Sequence, residues 1–197
     1  MDSEDTIRKM VMKHLKEIKS DFENNPFNFL SEGDVECHLF MKLFKEHNLS
    51  KLKTTEDGQL ISPLHSEVRY FNEQGKLLFQ VDISSIDPQY TDVYSKKVRE
   101  KRKRPMLAKR YAFDKSHFSI EIKLNKGAWS KNYTYNLWKK DLEKLKDIKS
   151  RNSTMLCFSL LLDRRCHFTE RDLVELRNSY PEIEIVYGRS VDWSCFS

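Results

Sequence analysis

From Thr154 to Leu162 the chain reads Thr-Met-Leu-Cys-Phe-Ser-Leu-Leu-Leu, almost without a polar break. The run is far shorter than the ~18 apolar residues expected of a membrane helix. It suits a strand instead, and a strand that is apolar on both sides must be covered on both sides. This places it at the centre of a sheet with helices on each face.

The periodicities along the rest of the chain supply those helices and strands. From Glu4 to Phe22, the residues Ile7, Met10, Val11, Leu15, Ile18 and Phe22 recur at helical spacing. Asn24-Asn25-Pro26 stops that helix. Ser31 is an N-cap with Asp34 at the capping-box position, and the helix it starts carries Val35, Leu39, Phe40 and Leu43 on one stripe. Glu32 and Glu36 lie on or beside that stripe, so at least one of them points inward. Leu49 to Ser62 is polar and reads as a loop with a turn at Asp57-Gly58.

His65 to Phe71 and Lys76 to Ile83 form a hairpin around Asn72-Glu73-Gln74-Gly75. On its second strand, Leu77, Phe79, Val81 and Ile83 take one face, and Gln80 and Asp82 the other. His117 to Asn125 is a further strand, with Ile120, Ile122 and Leu124 alternating with Ser119, Glu121 and Lys123. A helix over about 136–149 turns Trp138, Leu142, Leu145 and Ile148 inward. Thr169 caps another, with Asp172 at its capping-box position and Leu173, Val174 and Leu176 apolar. Ile183 to Tyr187 is a last short strand. The resulting class is α/β, a mixed central sheet flanked by helices.

At 197 residues, 39% hydrophobic and 33% charged, the chain can bury a core without disulfides or a structural metal. Cys37, Cys157, Cys166 and Cys195 form no Cys-x-x-Cys pair, which fits free thiols in a reducing compartment. The acidic start, Met1-Asp2-Ser3-Glu4-Asp5, is unlike a secretory signal, so the expected location is the cytoplasm. Charge is unevenly placed. Between Ser95 and Arg110 nine lysines and arginines stand against Glu100 alone, a net +8, which leaves −3 on the remainder of a chain whose total is +5. A cationic segment on a mildly acidic body suits a polyanionic partner, and a solvated loop is its plainer explanation.

Asp82, Glu121 and Lys123 are hard to explain as packing, because unpaired charges facing a helix-covered side of a sheet cost several kcal/mol. A divalent cation offsets that cost. Carboxylate oxygens from Asp82 and Glu121, with the Ile122 carbonyl, suit Mg²⁺ or Mn²⁺, which keep water and accept a phosphate oxygen. Such a metal polarises a scissile phosphate and activates a bound water. Lys123 is placed to orient that water or to offset charge in the transition state. Glu32, from the helix before, is a further carboxylate that could hold a second metal or its water shell. Glu36 competes with Glu32, Asp87 in Ile86-Asp87-Pro88 competes with Asp82, and Glu67 is an additional candidate ligand.

Three segments carry this pattern in order: Ser31-Glu32-Gly33-Asp34-Val35-Glu36, Val81-Asp82-Ile83 and Ile120-Glu121-Ile122-Lys123. The helix containing Lys140-Asp141-Leu142-Glu143-Lys144-Leu145 and the strand Met155 to Leu162 follow them. In this the chain resembles the PD-(D/E)XK phosphodiesterase superfamily, the restriction-endonuclease-like nucleases, over about 31–162. Val81 stands where the superfamily motif has proline, and the gap from Asp82 to Glu121 is long. The resemblance implies an αβββαβ core in a single nuclease-like domain over 1–197. An N-terminal helix (1–25), a basic insertion (87–115) and a C-terminal helix and strand (163–197) would be added to that core. It also implies metal ligation by Asp82, Glu121 and Glu32, and catalysis by those residues with Lys123.

The expected function is a Mg²⁺- or Mn²⁺-dependent endonuclease acting on DNA, as a possible homodimer and with no membrane partner. Lys101, Arg102, Lys103, Arg104, Lys109 and Arg110 are its candidate nucleic-acid contacts. The alternative is a module of the same fold that binds nucleic acid or an acidic protein and does not cut. Trp129, Tyr133 and Tyr135, in the loop after the third strand, are placed either to stack on bases or to cap the core. Asp163-Arg164-Arg165 ends the apolar strand as a phosphate site or a charged turn. The histidines show no zinc spacing, and Cys166-His167 has no second pair to join it.

Overall fold

A computed structural model describes residues 3–55, 58–71, 76–92, 110–111 and 116–190. The first helix, α1 (Glu4–Asn24), starts where the Ser3 side chain accepts from the Thr6 amide. It ends ahead of Pro26, whose ring and missing N–H suit no helix interior. Its stripe Val11, Leu15, Ile18 and Phe22 is fully buried. The next helix, α2 (Glu32–Phe44), opens with the expected capping box between Ser31 and Asp34. It buries Val35, Leu39 and Leu43, while Phe40 packs at the edge of that core.

The segment expected to be a loop holds more structure than its polarity suggests. A short helical turn, α3 (His47–Ser50), buries Leu49. Two-residue strands β1 (Lys53–Thr54) and β2 (Leu60–Ile61) then pair antiparallel. Strands this short leave no alternation to read. Their turn includes Gly58 in the left-handed region; Asp57 lies outside the described residues, as do Asn72 to Gly75 of the hairpin connection.

Five strands form the main sheet: β3 (Leu64–Phe71), β4 (Leu77–Ile86), β7 (Ser116–Asn125), β8 (Leu156–Asp163) and β9 (Ile183–Arg189). They lie side by side in chain order. β3–β4 and β4–β7 are antiparallel, whereas β7–β8 and β8–β9 are parallel, so the sheet is mixed. Between β4 and β7, β5 (Thr91–Asp92) pairs with β6 (Arg110–Tyr111) through Asp92 and Arg110. That ladder closes the base of the basic segment. Residues 93–109 of that segment lie outside the described residues.

Parallel neighbours need crossovers, and helices α4 (Lys131–Arg151) and α5 (Glu170–Ser179) supply them. α4 begins about five residues earlier than its apolar stripe indicates, because Ser130 caps it by accepting from the Tyr133 amide. Tyr133 and Tyr135 are therefore helical, not loop, residues. On α5, Leu173 and Leu176 face the sheet, but Val174 is exposed.

The architecture is α/β with helices on both faces of the sheet, in the expected αβββαβ order of α2, β3, β4, β7, α4 and β8. One core joins α1, α2 and α3 to Ile83, Ile120, Ile122, Leu124, Phe158, Leu160 and Leu162. The other joins Trp138, Leu142, Leu145 and Leu173 to Val68, Phe79, Val81, Cys157 and Leu161. All eight residues of β8 are buried, as the apolar run demands.

One expectation about faces fails. Ile83 packs in the first core, whereas Phe79 and Val81, placed on the same face by alternation, pack in the second. The cause is opposite them on β3. Glu67 has φ 50°, in the left-handed region, and the ladder passes from Ser66–Ile83 to Val68–Val81 without pairing Glu67 to Asp82. The backbone turns over there, so the hairpin changes face. Among the described residues no helix is long and apolar enough to cross a membrane. Cys37, Cys157 and Cys166 are free thiols, and Cys195 lies outside the described residues.

Candidate active site

Past a register shift at Ser85 and Ile86, β4 and β7 pair as far as Ile83 and Ile120, and one residue further on stand Asp82 and Glu121. There the Asp82 carboxylate accepts from the Ile122 amide at 2.6 Å. A side chain thus replaces the backbone contact at the point where the ladder ends.

Alternation on β7 holds. Ile120, Ile122 and Leu124 enter the first core, and Glu121 and Lys123 turn to the opposite face, beneath α4. Glu121 is only 3% exposed. Its Oε2 receives Lys144 Nζ at 2.6 Å, and its Oε1 is buried with no hydrogen-bond partner. Lys144 also donates to the Gln80 carbonyl at 2.9 Å and stands 3.9 Å from Asp141 Oδ1. Lys123 lies between Asp141 Oδ2, at 3.3 Å, and Glu32 Oε1, at 3.4 Å. Glu32 in addition accepts from the Leu124 amide at 3.3 Å, so it crosses from α2 to the end of β7.

Asp141 and Lys144 are the site residues that sequence reasoning missed. Their signal is positional. Each lies three or four residues from members of the inward stripe Trp138, Leu142, Leu145 and Ile148, hence at its margin and facing the sheet.

Charge and burial oppose each other throughout the cluster. Burial pushes the Asp82 carboxyl up to about 6, against the Ile122 amide and the lysines Lys144 and Lys123, which favour its ionised form. Glu121 is raised well above the usual carboxylate range, first by burial and then by the charge of Asp82. The short contact to Lys144 favours ionisation and so opposes that rise. Upward is nonetheless the direction, because a single ammonium on one oxygen leaves the other without a partner. Burial likewise raises Asp141. At Lys123 burial works against the charge, but Asp141 and Glu32 outweigh it and lift the ammonium above its ordinary value.

The competing carboxylates fall nearby or elsewhere. Glu36, half-buried, is pushed up to about 7 by burial, then by Asp82 and Glu67. It therefore lies on the α2 side of Asp82, while Glu32 is the helix carboxylate that reaches Lys123. Glu67 hydrogen-bonds Gln80. Asp87 sits in the turn after β4 and accepts from Gln89, away from Glu121. Among the described residues, no three histidine, cysteine, aspartate or glutamate side chains already converge as a metal cage.

Asp163-Arg164-Arg165 is a structural turn. Asp163, fully buried, accepts from Asn125, the Arg165 and His167 amides and the Tyr187 hydroxyl. Arg164 donates to the Pro26 and Phe29 carbonyls, and Arg165 to the Gly127 carbonyl. Cys166 takes a left-handed conformation at this turn, and among the described residues no cluster of possible metal ligands includes it. Trp129 packs edge-on against Tyr133, and Tyr135 lies beside Phe168. Lys101, Arg102, Lys103, Arg104 and Lys109 lie outside the described residues, and Arg110 is placed only by its backbone pairing.

No protein-family model matches the chain, and no curated protein matches it. It is similar to the solved structure of E. coli MS115-1 NucC in its cAAA-bound form, at 9% sequence identity and a TM-score of 0.41. The match covers 79% of this chain and 62% of that one, so this chain spans less than two thirds of that protein's length. At such distance only the residues themselves bear on chemistry.

Proposed function

We propose that this protein is a divalent-metal-dependent nuclease that hydrolyses phosphodiester bonds, with DNA as its substrate. One observation carries the proposal: Glu121 Oε1 is buried without a partner, next to a second carboxylate, Asp82, that is itself held away from its ordinary ionisation. A buried, unsatisfied carboxylate oxygen costs on the order of 1–3 kcal/mol or more. A hard cation is the partner that such a pair of oxygens suits.

Asp82 and Glu121 would hold Mg²⁺ or Mn²⁺, with Glu32 as a further carboxylate and the Ile122 carbonyl within the same stretch of backbone. When bound, that ion supplies Lewis acidity toward a phosphate oxygen and a more acidic water. The chain's own residues do the rest. The Ile122 amide fixes the Asp82 carboxylate, and the β7 backbone, paired with β8, fixes Glu121. The Lys123 ammonium, kept charged between Asp141 and Glu32, can shift to donate to a non-bridging phosphate oxygen as negative charge grows there. The segment with Lys101, Arg102, Lys103, Arg104, Lys109 and Arg110 supplies backbone attraction, and a pair of copies would address both strands of a duplex.

The second reading is a module of this fold that binds nucleic acid or an acidic partner without cutting. It is favoured by the ion pairing of both lysines, Lys123 with Glu32 and Asp141 and Lys144 with Glu121, and by the lack of a ready-made cage among the described residues. Single-turnover assays on duplex, single-stranded and branched DNA and RNA, with Mg²⁺ or Mn²⁺, separate the two. Cleavage that disappears in Glu121→Gln supports the enzyme; tight binding with no cleavage of any substrate supports the module.

A further inference from the structure

The ammonium of Lys144 is surrounded by oxygens from three places. Glu121 Oε2 on β7 is at 2.6 Å, the Gln80 carbonyl on β4 at 2.9 Å, and Asp141 Oδ1 on its own helix at 3.9 Å. Two carboxylates and a carbonyl are the donor set that a hard divalent cation takes. Lys144 also fills the gap between the two strands, beyond the last regular pair of Ile83 with Ile120. Among the described residues it is the one cation in contact with Glu121. Lys123, the lysine that the strand pattern points to, is engaged elsewhere, by Glu32 and Asp141.

We infer that Lys144 is a positioning residue that holds the place of the divalent cation at Glu121 and must swing aside when that cation binds. The inference rests on the metal site proposed above and adds an internal competitor to it. While Lys144 is seated, the Glu121 carboxylate has a counter-charge and β4 stays tied to β7, so the metal-free chain keeps its shape. The side chain is 27% exposed, and its long apolar stem lets the ammonium move to solvent without displacing α4. Metal affinity is then lower than the bare carboxylates would allow, because each binding event breaks a short ion pair.

Two measurements test this with Mn²⁺ as the probe. In the first, Mn²⁺ binding is titrated by electron paramagnetic resonance on wild type, Lys144→Met, Lys144→Gln and Lys144→Arg, each with and without Glu121→Gln as a control. The Met and Gln variants are expected to bind Mn²⁺ about tenfold more tightly, the effect of removing one nearby like charge from a cation site. Arg should stay near wild type. In the second, lysine acetylation of the wild-type protein is followed by mass spectrometry, which requires no variant to fold. Lys144 should label several-fold faster when Mn²⁺ is present. Unchanged or weaker Mn²⁺ binding in the Met and Gln variants, with binding still dependent on Glu121, would overturn the inference and leave the metal site standing. So would a Lys144 labelling rate that Mn²⁺ does not raise. Mn²⁺ binding indifferent to Glu121→Gln in the wild type would remove the metal site itself, and the inference with it.

Discussion

Asp82 receives the Ile122 amide at 2.6 Å, and that bond ties a carboxylate to the backbone between Glu121 and Lys123. The bond survives in Asp82→Asn, since the amide oxygen accepts as well as a carboxylate does. What the substitution removes is the charge. In the metal-free protein Asp82 has its folded-state pKa raised to about 6, above the ordinary value near 3.9 of an unfolded chain. A raised pKa means that the folded state prefers the protonated form. The associated stability is full below about pH 4 and is lost as pH rises through about 6. Metal-free Asp82→Asn should therefore match wild type near pH 4 and exceed it at pH 7–8 by about 3 kcal/mol. Urea denaturation in chelator across that range measures the difference, and equal stability at both ends would refute the assigned burial.

Lys123 separates enzyme from binding module. Lys123→Ala should reduce single-turnover cleavage by about 10²-fold or more while changing nucleic-acid affinity by less than about threefold. An equal loss of both would make Lys123 a substrate-holding residue.

Reversing Lys101, Arg102, Lys103 and Arg104 to glutamate should weaken nucleic-acid binding. The slope of its salt dependence should fall by about 0.7–0.9 for each phosphate that is no longer neutralised. Filter binding between low and moderate salt reads both quantities. The melting temperature should stay within about 2 °C, because the changes lie in a charged segment. An unchanged slope would make this segment a solvated loop.

Asp163 is a stability position rather than a catalytic one. Its two oxygens take four donors in a fully buried site. Asp163→Ala should cost about 3–5 kcal/mol, with metal binding per folded molecule unchanged. A destabilisation below about 1 kcal/mol would show that the turn satisfies these donors by other means.

What the chain reveals before folding divides along physical lines. The third strand is legible because Phe118 to Asn125 alternates cleanly and nothing interrupts its period, so Glu121 and Lys123 fall together as expected. The apolar run ending at Leu162 is legible for the same reason. Asp82 can be picked out but not placed, since its facing depends on a left-handed backbone at Glu67 that no glycine or asparagine announces. Asp141 and Lys144 escape notice because a charged pair beside a helix's apolar stripe looks like any solvated margin until the opposite strand is known. Ser130 starts α4 earlier than its stripe implies, since a cap is a local hydrogen bond and carries no periodicity. The segment at 53–61 hides two strands too short to alternate.

The inversion at Glu67 has a consequence for how the molecule comes apart. On one side of it, β3 and β4 contribute Val68, Phe79 and Val81 to the core under α4; on the other, they contribute Leu64 and Ile83 to the core under α1 and α2. A single hairpin is thus rooted in both layers, and neither layer can be released while the other keeps its strands. Local opening on one side must propagate through this shared element. The slowest-exchanging amides of the hairpin should then report one common opening event for the two cores, although no side chain need pass from one face of the sheet to the other.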